Sequence, residues 1–214
     1  MPEISPELRV HRQHLRIDMR ARRAALAAHV RIEAGQGIAM QLARLSVFSQ
    51  ARRLAGYFAC DGELPLHEVP ALCSRSGMDY YLPVLGRGRI MRFARWQTGE
   101  ALGSNRYGIP EPRVPEADLR AARTLDVVLA PVIAFSRDGT RLGTGGGFYD
   151  ATFAFLRRQP RPARPRLCGV AYSVQEVGAG HPGLQAQDWD VPLDFVLTER
   201  ETIVCAQGEP CNTG

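Results

Sequence analysis

Leu125–Asp150 reads LDVVLAPVIAFSRDGTRLGTGGGFYD. It holds the most strongly apolar run in the chain, Asp126–Ile133, then four glycines in five positions, Gly143 and Gly145–Gly147. The stretch from Phe148 to Arg157 that follows has helical spacing. A short apolar run bounded by turn residues is read as a strand, and strand, loop and helix in this order form the repeating unit of an α/β domain.

Working outward, the spacing predicts strands at Leu54–Ala59, Tyr80–Val84, Ile90–Ala94, Leu167–Tyr172 and Phe195–Thr198, with a crossover helix within Pro65–Arg75. Leu8, Leu15, Met19, Leu26 and Val30 predict one long surface helix over Ser5–Val30, with a second helix through Ile38, Leu42 and Leu45. The prolines in RRQPRPARPR, Arg157–Arg166, make that segment an irregular connection. Strands alternating with helices predict a single three-layer α/β/α domain over residues 1–199, with a mostly parallel central sheet and the site at the carboxyl ends of its strands. Residues 200–214 read as a flexible tail.

Composition removes several chemistries. All 27 Lys and Arg residues are arginines, so the lysine of a Walker-type phosphate loop, a pyridoxal Schiff base and a Ser/Lys pair are excluded. The five cysteines never form a CxxC pair, which argues against zinc, an iron–sulfur cluster or a thioredoxin-like centre. An odd number of thiols, and arginines interrupting the first thirty residues where a secretory signal would be apolar, point to a cytoplasmic protein. No apolar run approaches the ~20 residues of a membrane span.

The chemistry is concentrated in Arg141–Asp150. Glycines let the backbone adopt positive φ and turn consecutive amides into an anion-binding nest, and a helix start adds to that attraction. Arg141 can grip phosphate oxygens through its planar fork, and Asp150 is a candidate Mg²⁺ ligand beside them. A flexible surface loop would have the same glycines, so the loop alone does not decide. It is not a GxGxxG fingerprint, which argues against a dinucleotide oxidoreductase.

RLGTGGGFYD at Arg141–Asp150 resembles the signature of the 5-formyltetrahydrofolate cyclo-ligase (methenyltetrahydrofolate synthetase) family. So do YFACDGEL at Tyr57–Leu64, YYLPVL at Tyr80–Leu85, YGIPEP at Tyr107–Pro112, LDVVLAPVIAF at Leu125–Phe135 and WDVPLDFVLTE at Trp189–Glu199, in the family's order over roughly residues 9–199.

The resemblance implies ATP- and Mg²⁺-dependent cyclisation of 5-formyltetrahydrofolate to 5,10-methenyltetrahydrofolate with release of ADP and phosphate. The γ-phosphoryl would move to the formyl oxygen, and the nitrogen at folate position 10 would then attack. It further implies that Arg12 and Arg16 reach the nucleotide phosphates, with Arg16 also near the folate. Phe58 and Glu63 would bind the folate. Arg141 and the backbone of Leu142, Gly143, Thr144, Gly145, Gly146, Gly147, Phe148 and Tyr149 would cradle ATP, while Thr144–Phe148 would also border the folate. Arg16, Glu63 and Arg141 are the residues expected to carry the chemistry. Asp150 and Asp194 map onto the family's magnesium carboxylates; for Asp194 the alternative is a polar residue opening the last strand. Gly146 stands where some members carry Lys, and Phe148 where Tyr is frequent.

Two rivals remain. One is a member of this fold that binds folate or nucleotide without turnover. The other is an arginine-rich RNA-binding protein, suggested by a pI of about 9.2 and seven arginines within residues 9–31. Against RNA, Glu7 and Asp18 dilute that patch, aromatics do not alternate with the arginines, and the net charge of +5 is modest. Small-molecule substrates, a monomer and no membrane partner are the expectation. His11, His14, His29, His67 and His181 lie in unrelated segments and form no triad or metal cage.

Overall fold

The run Asp126–Ile133 contributes the middle strand of a seven-stranded sheet in the computed structural model, which describes residues 4–86 and 88–205. The helices are α1 (Pro6–Ala24), α2 (Ala28–Ala43), α3 (Ser46–Ser49), α4 (Val69–Arg75) and α5 (Phe148–Thr152). The strands are β1 (Arg53–Ala55), β2 (Asp79–Leu85), β3 (Met91–Arg95), β4 (Leu102–Ser104), β5 (Pro110–Pro112), β6 (Val127–Pro131), β7 (Ala134–Phe135), β8 (Arg141–Leu142), β9 (Arg166–Val170), β10 (Phe195–Leu197) and β11 (Thr202–Val204).

The sheet order is β11-β10-β9-β6-β1-β2-β3; β10, β9, β6, β1 and β2 run parallel, and β3 and β11 close the two edges antiparallel. The chain goes from β1 out to β2 and returns to place β6 on the other side of β1. The strand order therefore reverses between β1 and β6, and loops leaving their carboxyl ends diverge around a crevice, where α/β sheets bind ligands.

Side chains alternate across β6. Val127 and Leu129 face a core layer with Ile38 and Leu42 of α2 and Val69 and Cys73 of α4, while Val128 faces Phe153, Leu156 and Leu167 on the other side. Each such wholly buried Val or Leu contributes roughly 1.5–3 kcal/mol. A third cluster sits at the carboxyl end of the sheet: Leu15 and Met19 of α1 pack on Ile133, Ala134, Leu142 and Leu184. That seam lays α1 across the crevice. Ser5 caps α1, its hydroxyl accepting from Leu8 N at 3.2 Å, and Pro6 starts the first turn.

Four local expectations change. The single helix over Ser5–Val30 is broken at Ala25–Ala27, although alanine favours helix; Leu26 packs half-buried against the core and α2 restarts at Ala28. Of Leu54–Ala59 only Leu54 and Ala55 belong to β1. A Cβ on Gly56 would come within 2.0 Å of the Tyr80 hydroxyl, and beyond this close crossing the chain leaves the sheet, releasing Tyr57–Glu63 as a loop. The helix expected from Phe148 to Arg157 is a single α turn followed by a 3-10 segment, Ala154–Arg158. Residue 199 does not end the domain, because β11 pairs with β10 and buries Ile203; residues 206–214 of the expected tail lie outside the described residues. Among the described residues no helix is long and apolar enough to cross a membrane.

Candidate active site at the carboxyl ends of the strands

Three loops meet under α1: Gly56–Glu63 after β1, Gly143–Gly147 after β8, and Gln185–Val191 before β10. The arginines of one face of α1 reach all three. Arg12 donates to Gln185 O at 2.9 Å and lies 3.3 Å from the Asp190 carboxylate. Arg16 Nε donates to Gly143 O at 3.0 Å, and Arg20 Nε donates to Asp61 Oδ2 at 2.8 Å. Residues four apart stack along one helix face, so a spacing of four lets each guanidinium find a different loop. Arg12 and Arg16 are turned inward, unlike the solvated face an RNA-binding helix would offer, while Arg20 stays 37% exposed at the rim. Burial, with Arg12 and Arg20 nearby, lowers the pKa of Arg16.

Within the glycine loop, Gly145 has φ +104° and Gly147 φ +69°, so both sit where L side chains are strained. Gly147 precedes α5, but one helical turn has little macrodipole, and positive charge comes from Arg16 and Arg141 instead. Thr144 and Gly145 are exposed, whereas Leu142 is buried in the seam under α1, so its side chain cannot face a ligand. A Cβ on Gly145 would lie 3.4 Å from Arg16 Nη2. Gly145→Ala is therefore expected to strain the loop and displace that guanidinium, at a cost of about 1–3 kcal/mol read as a fall in melting temperature; an unchanged melting temperature would mean that the loop adapts without strain.

Arg141 and Asp150 form one unit. Arg141 Nη2 donates to Asp150 Oδ1 at 2.5 Å, Arg141 Nη1 donates to Val191 O, and Val191 N donates back to Asp150 Oδ1 at 3.2 Å. Asp150 Oδ2 has no hydrogen bond among the described residues. Beside it lies Asp190, whose pKa is raised by burial and by the Asp150 charge, against the opposing pull of Gln187 N, Arg12 and Arg141. Sequence reasoning missed Asp190. It lies within the quoted block Trp189–Glu199, but nothing in linear spacing distinguishes it from Asp194.

Asp194 is not brought to this cluster. It is fully buried at the amino ends of β9 and β10, where Oδ2 accepts from Arg161 and from Leu167 N, each at 2.8 Å, and Oδ1 lies 3.2 Å from Arg166 Nε. Two guanidiniums already neutralise it, so the residue expected at the metal anchors the proline-rich connection to the sheet instead. The carboxylate that accompanies Asp150 is Asp190. Among the described residues no three His, Cys, Asp or Glu side chains converge as a metal cage.

The β1 loop supplies the other wall. Phe58 is 42% exposed, available as an apolar surface. Glu63 Oε2 accepts from Cys60 N at 3.2 Å and lies 3.6 Å from Cys60 Sγ. Burial raises the Glu63 pKa, partly offset by the Cys60 N–H and the Arg23 charge. Burial and the same carboxylate push the Cys60 thiol up to about 11, so it stays protonated and can donate. The Tyr149 hydroxyl is raised by burial and then by Glu63, with Arg141 opposing, which links the β1 loop electrostatically to the glycine loop.

A cavity of about 580 Å³ adjoins this cluster, lined by Gly88, Arg89, Arg106, Tyr107, Gly145, Gly146 and Phe148. The Tyr107 and Phe148 rings meet edge to face, their centroids 6.0 Å apart. A second hollow of about 640 Å³, lined by Pro70, Arg75, Tyr80 and Trp96, opens near the amino end of β2 and includes none of these groups.

Comparison with known proteins shows the family and the fold. Residues 9–199 match the model of the 5-formyltetrahydrofolate cyclo-ligase family. The chain is 32% identical over 188 residues to the 5-formyltetrahydrofolate cyclo-ligase of Haemophilus influenzae, covering 87% of this chain and 96% of that one. The protein of that name from Escherichia coli strain K12 is also 32% identical over 188 residues, covering 84% and 96%. The solved structure of Aquifex aeolicus 5,10-methenyltetrahydrofolate synthetase is similar with a TM-score of 0.75 at 26% identity, covering 93% of this chain and 95% of that one.

Proposed function

The chain belongs to the 5-formyltetrahydrofolate cyclo-ligase family, and from that premise we propose that its three-loop cluster closes 5-formyltetrahydrofolate to 5,10-methenyltetrahydrofolate with ATP and Mg²⁺, releasing ADP and phosphate. The observation that carries the reading is the seating of Arg16 on the glycine loop, through Gly143 O at 3.0 Å, with Arg12 and the Arg141–Asp150–Asp190 charges around it. Three guanidiniums around a glycine-rich backbone suit a triphosphate, and the lysine-free composition leaves arginine as the cation available for it.

In this reading Arg141, Arg16 and Arg12 bind the phosphates, with the backbone from Leu142 to Tyr149 as the cradle. Glu63 accepts hydrogen bonds from the pterin edge and Phe58 covers its face, while Thr144–Phe148 border both substrates. The γ-phosphoryl passes to the formyl oxygen and ADP leaves. The position-10 nitrogen then bonds to the activated carbon and gives up its proton, and the carbon–oxygen bond breaks with departure of phosphate. The protein's part is to position the groups and neutralise their charge. Asp150 Oδ2 and the neighbouring Asp190 fit Mg²⁺, which takes few protein oxygens and shares phosphate oxygens and water. Bound there, the cation would neutralise charge on the transferring phosphate.

The test is absorbance of the methenyl chromophore with purified protein, 5-formyltetrahydrofolate and Mg²⁺, with and without ATP. A rise that requires ATP is expected. Absence of a rise from protein that still binds ATP or folate would overturn the reading in favour of a binding protein without turnover.

The raised Glu63 pKa adds a pH signature. To accept from pterin N–H groups the carboxyl must be ionised, so folate kcat/KM falls as pH drops through a value above that of an ordinary carboxylate. Glu63→Gln is expected to lower kcat/KM and to abolish that acid limb, measured as a pH–rate profile. An unchanged limb in the variant would assign it to another group.

A further inference from the structure

Arg23 is only 2% exposed, and no step of the proposed reaction uses it. Its guanidinium donates to Asp61 O at 2.6 Å and to Asp61 Oδ2 at 3.4 Å, while its Nε has no hydrogen-bond partner. The Asp61 side chain is itself 59% exposed. One carbonyl and a solvated carboxylate are poor compensation for a desolvated guanidinium, so stability alone does not account for the contact.

What Arg23 grips is the tip of the turn that ends in Glu63. Asp61 has φ +50°, the only positive φ outside glycine among the described residues, and Gly62 follows at φ +72°. Glu63 N donates to Cys60 O at 2.9 Å, and Cys60 N returns to Glu63 Oε2 at 3.2 Å. The turn is thus closed on itself, with the Asp61 carbonyl directed outward to α1. Fixing that peptide fixes the left-handed pair, and with it the direction in which Glu63 leaves the turn.

We propose that Arg23 is a positioning residue for the folate: by holding the Asp61 peptide it orients the Glu63 carboxylate and sets the enzyme's affinity for 5-formyltetrahydrofolate, without touching either substrate. This rests on the reading of Glu63 as the pterin acceptor. The same helix that meets the glycine loop through Arg16 thereby holds the folate loop through Arg23 and Arg20.

The test is steady-state kinetics in both substrates for Arg23→Leu, Arg23→Lys, Asp61→Asn and Glu63→Gln, each checked by circular dichroism. Misplacing a binding group by a fraction of an ångström is enough for Arg23→Leu to raise KM for the folate about tenfold, with KM for ATP changed less than about twofold. Arg23→Lys, which keeps a donor, is expected to recover part of that loss. Asp61→Asn keeps the carbonyl and tolerates positive φ, so its rise is expected to be about threefold. Should Arg23→Leu fail to fold, the other two positioning variants decide. A fall in kcat with both KM values unchanged, or an equal rise in both, would mean a structural role and overturn the proposal. If Glu63→Gln raises folate KM while the Arg23 and Asp61 variants do not, the positioning role falls alone. If Glu63→Gln leaves folate KM unchanged, the reading of Glu63 falls and the proposal with it.

Discussion

Asp150→Asn is expected to lower kcat about a hundredfold or more, the usual order for removing one charge-stabilising group from a transferring centre. The substitution keeps an oxygen for Val191 N but removes the charge that faces Arg141 at 2.5 Å and the free Oδ2 proposed for Mg²⁺. Two losses follow from one change: the cation is held by Asp190 and phosphate alone, and Arg141 loses the partner that aims it. Raising Mg²⁺ should recover part of the rate, because the first loss is one of metal affinity, while the second should persist at saturation. Asp150 is 27% exposed but its partner Arg141 only 7%, so some stability is lost with the pair, and circular dichroism at the assay temperature is the control that the variant is folded. Turnover at limiting Mg²⁺ equal to the parent's would take Asp150 out of the metal shell.

Asp194→Ala is expected to act in the opposite way, on stability and not on metal dependence. Its carboxylate is 0% exposed and faces Arg161 and Arg166, themselves 13% and 10% exposed. Removing one member of a buried ion cluster leaves the others charged and desolvated, which costs about 3–5 kcal/mol. Leu167 N also loses its acceptor at 2.8 Å. For a domain of this size that corresponds to a fall in melting temperature of about 10 °C. The Mg²⁺ concentration for half-maximal rate should be unaltered. A stable variant with a raised Mg²⁺ requirement would return Asp194 to the metal.

The central strand, the glycine loop and the irregular proline-rich connection were legible because their signals are local: a run of apolar residues, glycines where positive φ is needed, prolines where helix is forbidden. What escaped depends on partners far along the chain. Asp190 and Asp194 are both acids in one short block, and only the approach of Arg12 and Asp150 to the first, and of Arg161 and Arg166 to the second, separates them. Ala25–Ala27 has good helix propensity, yet the helix breaks there and Leu26 packs half-buried against the core, a contact that no local signal announces. Arg23 looked like one more arginine on a basic helix, and its position against Asp61 follows from the α1 seam, not from its neighbours in sequence.

That seam has a consequence for the order in which the molecule is assembled. Arg16 bonds to a residue 127 positions away and Arg12 to one 178 positions away. Emerging before the strands during synthesis, α1 must wait for residue 190 before all of its arginines find their loops. Contacts of such separation close late because loop-closure entropy opposes them until the remainder has folded. The strands β1, β2, β3, β6 and β9 can pair ahead of their lid, and a nascent chain stalled short of residue 190 would lack β10, β11 and Asp190, leaving the sheet short of one edge and Arg12 without its carboxylate.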